Sequence, residues 1–182
     1  MKLFDLINLY KRDMSQNYLN LEILGSTEKW TYYCPIERSS IISVGWLSND
    51  DIYFINSDGE YIFDIVNREI IFENFNHQFY IPNENLKTFI KDRNENIDIF
   101  GMRGGDGNKT TKDDEWYIEI FNLSWNCKIP ILQNRKIQYP LFLELKQNFY
   151  EGYKFIGFSK SENYFLIMGD GGIDIYKKNT EL

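Results

Sequence analysis

The sequence predicts a β-rich α+β fold: a twisted antiparallel meander of propeller-blade-like repeats, with an N-terminal helix and one further short helix. Three observations predict it. Aromatic residues make up 17% of the 182 residues, with 13 Tyr and 14 Phe, and such side chains suit the pleated, half-buried surface of a sheet. Short apolar runs alternate with turn residues from Trp30 onwards, which is the rhythm of strands. One block of the first half also recurs near the end of the chain, as in folds that reuse a supersecondary unit.

The elements follow in order. Leu3, Leu6, Ile7 and Tyr10 fall at helical spacing, with Asp5 early and Lys11-Arg12 late. That charge order suits the helix dipole and predicts a helix over about residues 2–12. Tyr18 to Leu24 and Trp30 to Cys34 read as a hairpin, the second arm stopped by Pro35. Ile41 to Trp46, Asp51 to Ile55, Tyr61 to Val66 and Ile70 to Phe72 continue as a meander, with Ser57-Asp58-Gly59 as a turn. Asn83 can cap a helix from Glu84 to about Asp92, whose apolar face is Leu86, Phe89 and Ile90. Ile97 to Met102 and Trp116 to Leu123 read as strands joined by a long polar loop, Asp106 to Glu115. On the second of these, Trp116, Ile118 and Ile120 share one side. Cys127 to Leu132 is a further apolar run containing Pro130, and Leu141 to Leu145 fits either strand or helix.

The repeat aligns without a gap. GWLSNDDIYFINSDGEYIFDI begins at Gly45 and GFSKSENYFLIMGDGGIDIYK at Gly157, so Tyr53 matches Phe165 and Asp58-Gly59 matches Asp170-Gly171. Blade-like units are therefore expected at about 41–75 and 153–178 within a single domain, 1–182. The length favours a blade pair or twisted sheet over a closed propeller, since each blade takes ~40–45 residues.

Composition narrows the function. A net charge of −7 argues against non-specific nucleic-acid binding, which needs a basic surface, and suits a basic partner. Cys34 and Cys127 lack C-x-x-C spacing and read most simply as free thiols of a reducing compartment, with a disulfide between them as the alternative. The first residues, MKLFDLINLYKRDM, form neither a signal peptide nor a membrane span, so the expected location is cytoplasmic. His77 is the sole histidine, which supports neither a metal site nor a Ser-His-Asp device.

The loop invites two comparisons with known ion-binding loops. Gly104 to Thr110 looks like a phosphate-binding loop, but Asn108 breaks its Gly-Lys-Thr core and Asp113-Asp114-Glu115 follows where a helix should begin. Oxygen ligands for calcium occur between Asp106 and Glu115, yet the position of the bidentate Glu of an EF-hand is Tyr117. The sequence thus assigns no catalytic residue, metal or cofactor. Its candidate partner-binding residues are Asp106, Asp113, Asp114, Glu115 and Trp116, four carboxylates beside an aromatic anchor.

Ile99 to Gly107 (IFGMRGGDG), Thr110 to Trp116 (TTKDDEW) and the closing Phe155 to Ile167 (FIGFSKSENYFLI) together resemble an uncharacterised group of bacterial cytosolic proteins. That group carries a Gly-rich I-x-G-x-x-G-G-G motif, then T-x-D-G-W, and a closing G-F-S strand pair. The resemblance covers roughly the second half of the chain. It departs at Glu115, where the group has Gly before Trp, and at Glu162, where a turn Gly is usual. The resemblance brings no activity, but proteins of this character are similar to immunity proteins of toxin systems. The expectation is a non-enzymatic protein-binding module: an immunity protein that neutralises a basic toxin, such as a nuclease. The alternative is a hydrolase or carbohydrate-active enzyme with paired carboxylates in a pocket.

Overall fold

A computed structural model describes residues 29–75, 86–102, 104–124, 127–136, 141–142 and 154–179. The expected N-terminal helix, the Tyr18 to Leu24 strand and His77 lie outside these residues. The described chain forms three antiparallel sheets with almost no helix. The six-stranded sheet has the order β5-β4-β3-β2-β7-β6, the four-stranded sheet β1-β13-β12-β11 and the three-stranded sheet β10-β9-β8. Their ranges are β1 Trp30–Ile36, β2 Ile41–Trp46, β3 Ile52–Asn56, β4 Glu60–Asp64, β5 Glu69–Asn74, β6 Lys87–Ile90 and β7 Glu95–Gly101. Those of the second half are β8 Trp116–Ser124, β9 Cys127–Asn134, β10 Leu141–Phe142, β11 Phe155–Phe158, β12 Tyr164–Gly169 and β13 Gly172–Lys178.

The four-stranded sheet is the middle layer. Alternation sends Leu166, Met168, Ile173 and Ile175 to one face, where they pack on Val44, Trp46, Phe54 and Phe63 of the six-stranded sheet. Phe165, Ile167 and Tyr176 point the other way and meet Trp116, Ile118 and Leu132 of the three-stranded sheet. Buried on both faces, β12 is apolar throughout, from Tyr164 to Met168. The outer face of the six-stranded sheet has its own cluster, in which Tyr53, Ile55 and Ile62 pack with Ile90, Ile97 and Ile99. In a flat sheet β4 and β6 would lie far apart, with strands spaced ~4.8 Å. Their shared cluster means that the sheet curls over its outer face.

The repeat is a structural one. β2-β3-β4 and β11-β12-β13 form equivalent antiparallel meanders. The Asp50 N–H donates to Leu47 O and the aligned Glu162 N–H to Ser159 O. Asp50 and Glu162 both adopt left-handed φ, 68° and 63°. Where the sequence comparison expects a turn glycine, Glu162 therefore takes a glycine-like conformation at some cost in strain. The fourth strand differs in origin. The first unit is completed by β5, the next strand in sequence, and the second by β1 from the other end of the chain.

Three expectations need correction. The helix expected over Glu84 to Asp92 is replaced by β6 and a 3-10 turn, Lys91–Arg93. Thr88 and Ile90 alternate inwards while Phe89 is 50% exposed, so period two and pairing with β7 win over the helical reading. β1 does not stop at Pro35 but runs on through it to Ile36, paired with β13, while the other arm of the expected hairpin lies outside the described residues. The wide hairpin expected around the polar loop does not form, because β7 belongs to the six-stranded sheet and β8 to the three-stranded one. The loop is a crossover between layers.

Candidate functional site

The crossover loop is held along the edge strand β11. The Gly107 N–H donates to Ile156 O at 2.7 Å and the Phe158 N–H to Asn108 O at 2.8 Å. The Asp106 carboxylate accepts from the Ile156 N–H at 3.2 Å. Gly107 and Gly157 sit under the buried Phe100 ring, and a Cβ on either would come within 2.7 Å of a ring carbon. The glycines thus serve a close approach of chain to ring. Further on, Ile118 N–H bonds Lys109 O, and the Thr111 hydroxyl accepts the Trp116 N–H at 3.0 Å.

All five predicted binding residues lie on this loop or at its end, but they differ in what they can offer. Asp106 pairs with Lys109 at 2.6 Å. Asp114, at φ 53°, pairs with Arg135, and Glu115 pairs with Lys136 at 3.3 Å. Asp113 is exposed and accepts from the Thr111 hydroxyl at 2.6 Å and the Glu115 N–H at 3.1 Å. Those two bonds hold its carboxyl below the usual range. Trp116 corrects the expectation of an aromatic anchor, being 3% exposed and packed edge-to-face on Trp30 at 6.1 Å. Its alternation with Ile118 and Ile120 puts it in the core, so it positions the loop from below.

The loop tip joins three other turns at one end of the molecule. Lys112 donates from its backbone to Glu162 at 2.6 Å and from Nζ to Lys160 O at 2.9 Å. Lys160 Nζ in turn reaches Glu95 Oε1 at 3.1 Å, and Glu95 Oε2 accepts from Ser48 at 3.1 Å. Asp50, 7% exposed, accepts from the backbone N–H and hydroxyl of Ser161. Asp51 accepts from Asn49 at 2.7 Å and pairs with Arg93 at 3.6 Å. Turns from all three sheets are thereby tied into one polar surface, the kind of scaffolded loop cluster that commonly carries function.

Glu95 couples this surface to pH. Burial raises its pKa, but the Lys160 and Ser48 hydrogen bonds outweigh burial and hold the carboxyl below its ordinary value. A carboxyl depressed in the folded state stabilises above its unfolded pKa, ~4.3, and loses that contribution as pH falls through the folded value. Urea midpoints measured from pH 6 down to pH 3 should therefore fall less steeply in Glu95→Gln than in the wild type. Parallel curves would mean that the Glu95 contacts do not stabilise the fold.

A second concavity lies where the six-stranded sheet curls. A cavity of about 660 Å³ opens between Tyr53, Glu60, Phe72 and Asn74 on one wall and residues 88–92 on the other. The Glu60 carboxylate accepts from the Tyr53 hydroxyl at 2.5 Å and from Asn74 Nδ2 at 2.7 Å. Glu73 and Asp92 also line the cavity, and Glu73 is bonded to Arg38 at 3.2 Å. Sequence reasoning missed this site, although a signal existed. Glu60 precedes the inward Ile62 by two residues and Asn74 follows Phe72 by two, so both polar side chains fall on the apolar face of their strands.

Cys34 is a buried free thiol, and burial pushes its pKa up to about 11, which makes it unreactive. The side chain of Cys127 lies outside the described set. Among the described residues no group of three or more His, Cys, Asp or Glu side chains is placed to hold a metal ion, and no helix is long and apolar enough to cross a membrane. No protein-family model matches the chain, and no curated protein or solved structure matches it significantly.

Proposed function

We propose that the protein is a non-enzymatic binding module whose turn-rich end takes a basic protein partner, in its most specific form an immunity protein that neutralises a cognate toxin. One observation carries the reading: turns of three sheets are locked side by side, with Asp113, Asp114 and Asp92 exposed among them. A locked acidic surface loses little entropy on docking and attracts a basic cleft of the kind nucleases present. The local pairs Asp114–Arg135 and Glu115–Lys136 leave the attraction moderate. They also supply cations that can exchange partners on docking.

The test is affinity capture of the tagged protein from its own cells, with the adjacent reading frames sequenced. One stoichiometric basic partner, encoded nearby and toxic alone, is the expected result. Asp113→Lys with Asp114→Lys should then slow association at low salt by roughly tenfold, with a smaller effect at high salt. Unchanged on-rates would remove the loop from the interface. A captured partner that is acidic or absent would remove the reading itself.

A further inference from the structure

We propose that Asp170, in the Asp170-Gly171 turn between β12 and β13, is a site of spontaneous isoaspartate formation, preferred over the other two of the chain's three Asp-Gly pairs. The inference is independent of the protein-partner reading. The Asp170 turn follows Gly169, whereas the turn that joins the acidic surface precedes Tyr164, at the other end of β12.

The chemistry sets three requirements. The Gly171 amide nitrogen must be free to attack Cγ of the protonated Asp170 carboxyl. The N–Cγ bond forms, the Cγ–OH bond breaks, and the hydroxyl leaves as water with the amide proton. Water then opens the resulting succinimide at either carbonyl, giving back aspartate or leaving isoaspartate, with no net gain or loss of atoms. The reaction therefore needs an unengaged amide, an unengaged carboxyl and no Cβ crowding the attack, which glycine provides.

Two of the three pairs fail these requirements. Asp58-Gly59 holds the equivalent place in the first repeat, but the Asp58 and Gly59 N–H groups both donate to Asn56 Oδ1, at 2.8 and 3.0 Å. Asn56 is itself buried. On the crossover loop the Gly107 N–H donates to Ile156 O at 2.7 Å. The Asp106 carboxylate accepts from the Ile156 N–H at 3.2 Å and pairs with Lys109 at 2.6 Å. At Asp170 the lock is missing for a reason written in the repeat: the residue aligned with Asn56 is Met168, which lies in the core and carries no amide oxygen. Asp170 is exposed, and among the described residues neither its carboxyl nor the Gly171 N–H is engaged.

The test is to age the folded full chain in neutral buffer and map its peptides, marking isoaspartate with an isoaspartyl methyltransferase and its methyl donor. Isoaspartate should accumulate at Asp170 about tenfold or more faster than at Asp58 or Asp106, where two or more hydrogen bonds must first open. In urea the three sites should converge, which separates the fold's contribution from that of local sequence. Gly171→Ala should slow the folded reaction severalfold, because its Cβ crowds the attacking nitrogen. Asp170→Asn should react faster than the wild type at the same position, with ammonia leaving in place of water, and so reads the same geometry should Gly171→Ala disturb the turn. A lead by Asp58 or Asp106 in the folded protein, or the same ranking in urea as in buffer, overturns the proposal. So does an Asp170→Asn chain that releases ammonia no faster folded than the locked Asp58 and Asp106 pairs isomerise.

Discussion

Replacing Trp30 by Ala should destabilise the protein by about 3–5 kcal/mol, the range for removing a large aromatic from a core. Trp30 is wholly buried at the start of β1. Its ring lies 5.0 Å from Phe165, 5.6 Å from Phe158 and 6.1 Å from Trp116. It thus contacts β12 and β11 of its own sheet and β8 of the three-stranded sheet at once. The cavity left behind would sit between two layers whose backbones are fixed by their own ladders, so collapse can fill little of it. A loss of that size consumes much of the ~5–15 kcal/mol that keeps a domain folded. Val66→Ser, at a side chain 73% exposed, should stay within about 0.5 kcal/mol. Equal urea midpoints for the two variants would refute the layered packing around Trp30.

Side-chain alternation made most strand positions legible. It placed the meander from Ile41 to Phe72, the closing repeat and the inward face of Trp116, Ile118 and Ile120. Pairing was legible only where neighbours in sequence are neighbours in space. Nothing local tells Trp30–Ile36 to seek Gly172–Lys178, the opposite end of the described chain. Alternation fixes which face a residue uses and leaves the partner strand open. For the same reason β7 and β8 read as one hairpin although they lie in different sheets. The β6 error came from a four-residue run, too short for its period to separate strand from helix. The acidic loop was legible as a loop, but its ion pairs with Arg135 and Lys136 depend on β9 ending beside it. The cavity depends on sheet curvature, a collective property of six strands that no single strand encodes.

Gly45→Ala provides the sharpest test of that curvature. Gly45 lies in β2, paired with Tyr53 on one side and Ile99 on the other. A Cβ there would meet the backbone oxygen of Asp98 at 2.6 Å and the Ile97 and Ile99 side chains at 3.0 Å. The oxygen belongs to the adjoining strand, so relief requires β7 to move away from β2. Their described register spans only Ser43↔Gly101, Val44↔Phe100 and Gly45↔Ile99, and β6 is joined to the sheet through β7. The substitution should therefore cost about 1–3 kcal/mol by overpacking, with the loss concentrated in β6–β7. Hydrogen exchange should quicken at the amides of β7 while β12 and β13 stay protected. At the repeat-related Gly157, the nearest atom to an added Cβ is instead the outer ring carbon of Phe100, at 2.7 Å, and a ring tilts more readily than a strand shifts. Gly157→Ala should be the milder of the two and leave β7 protected. If Gly45→Ala spares β7, or costs less than its repeat mate, then β2 and β7 are not packed as closely as the curled sheet requires.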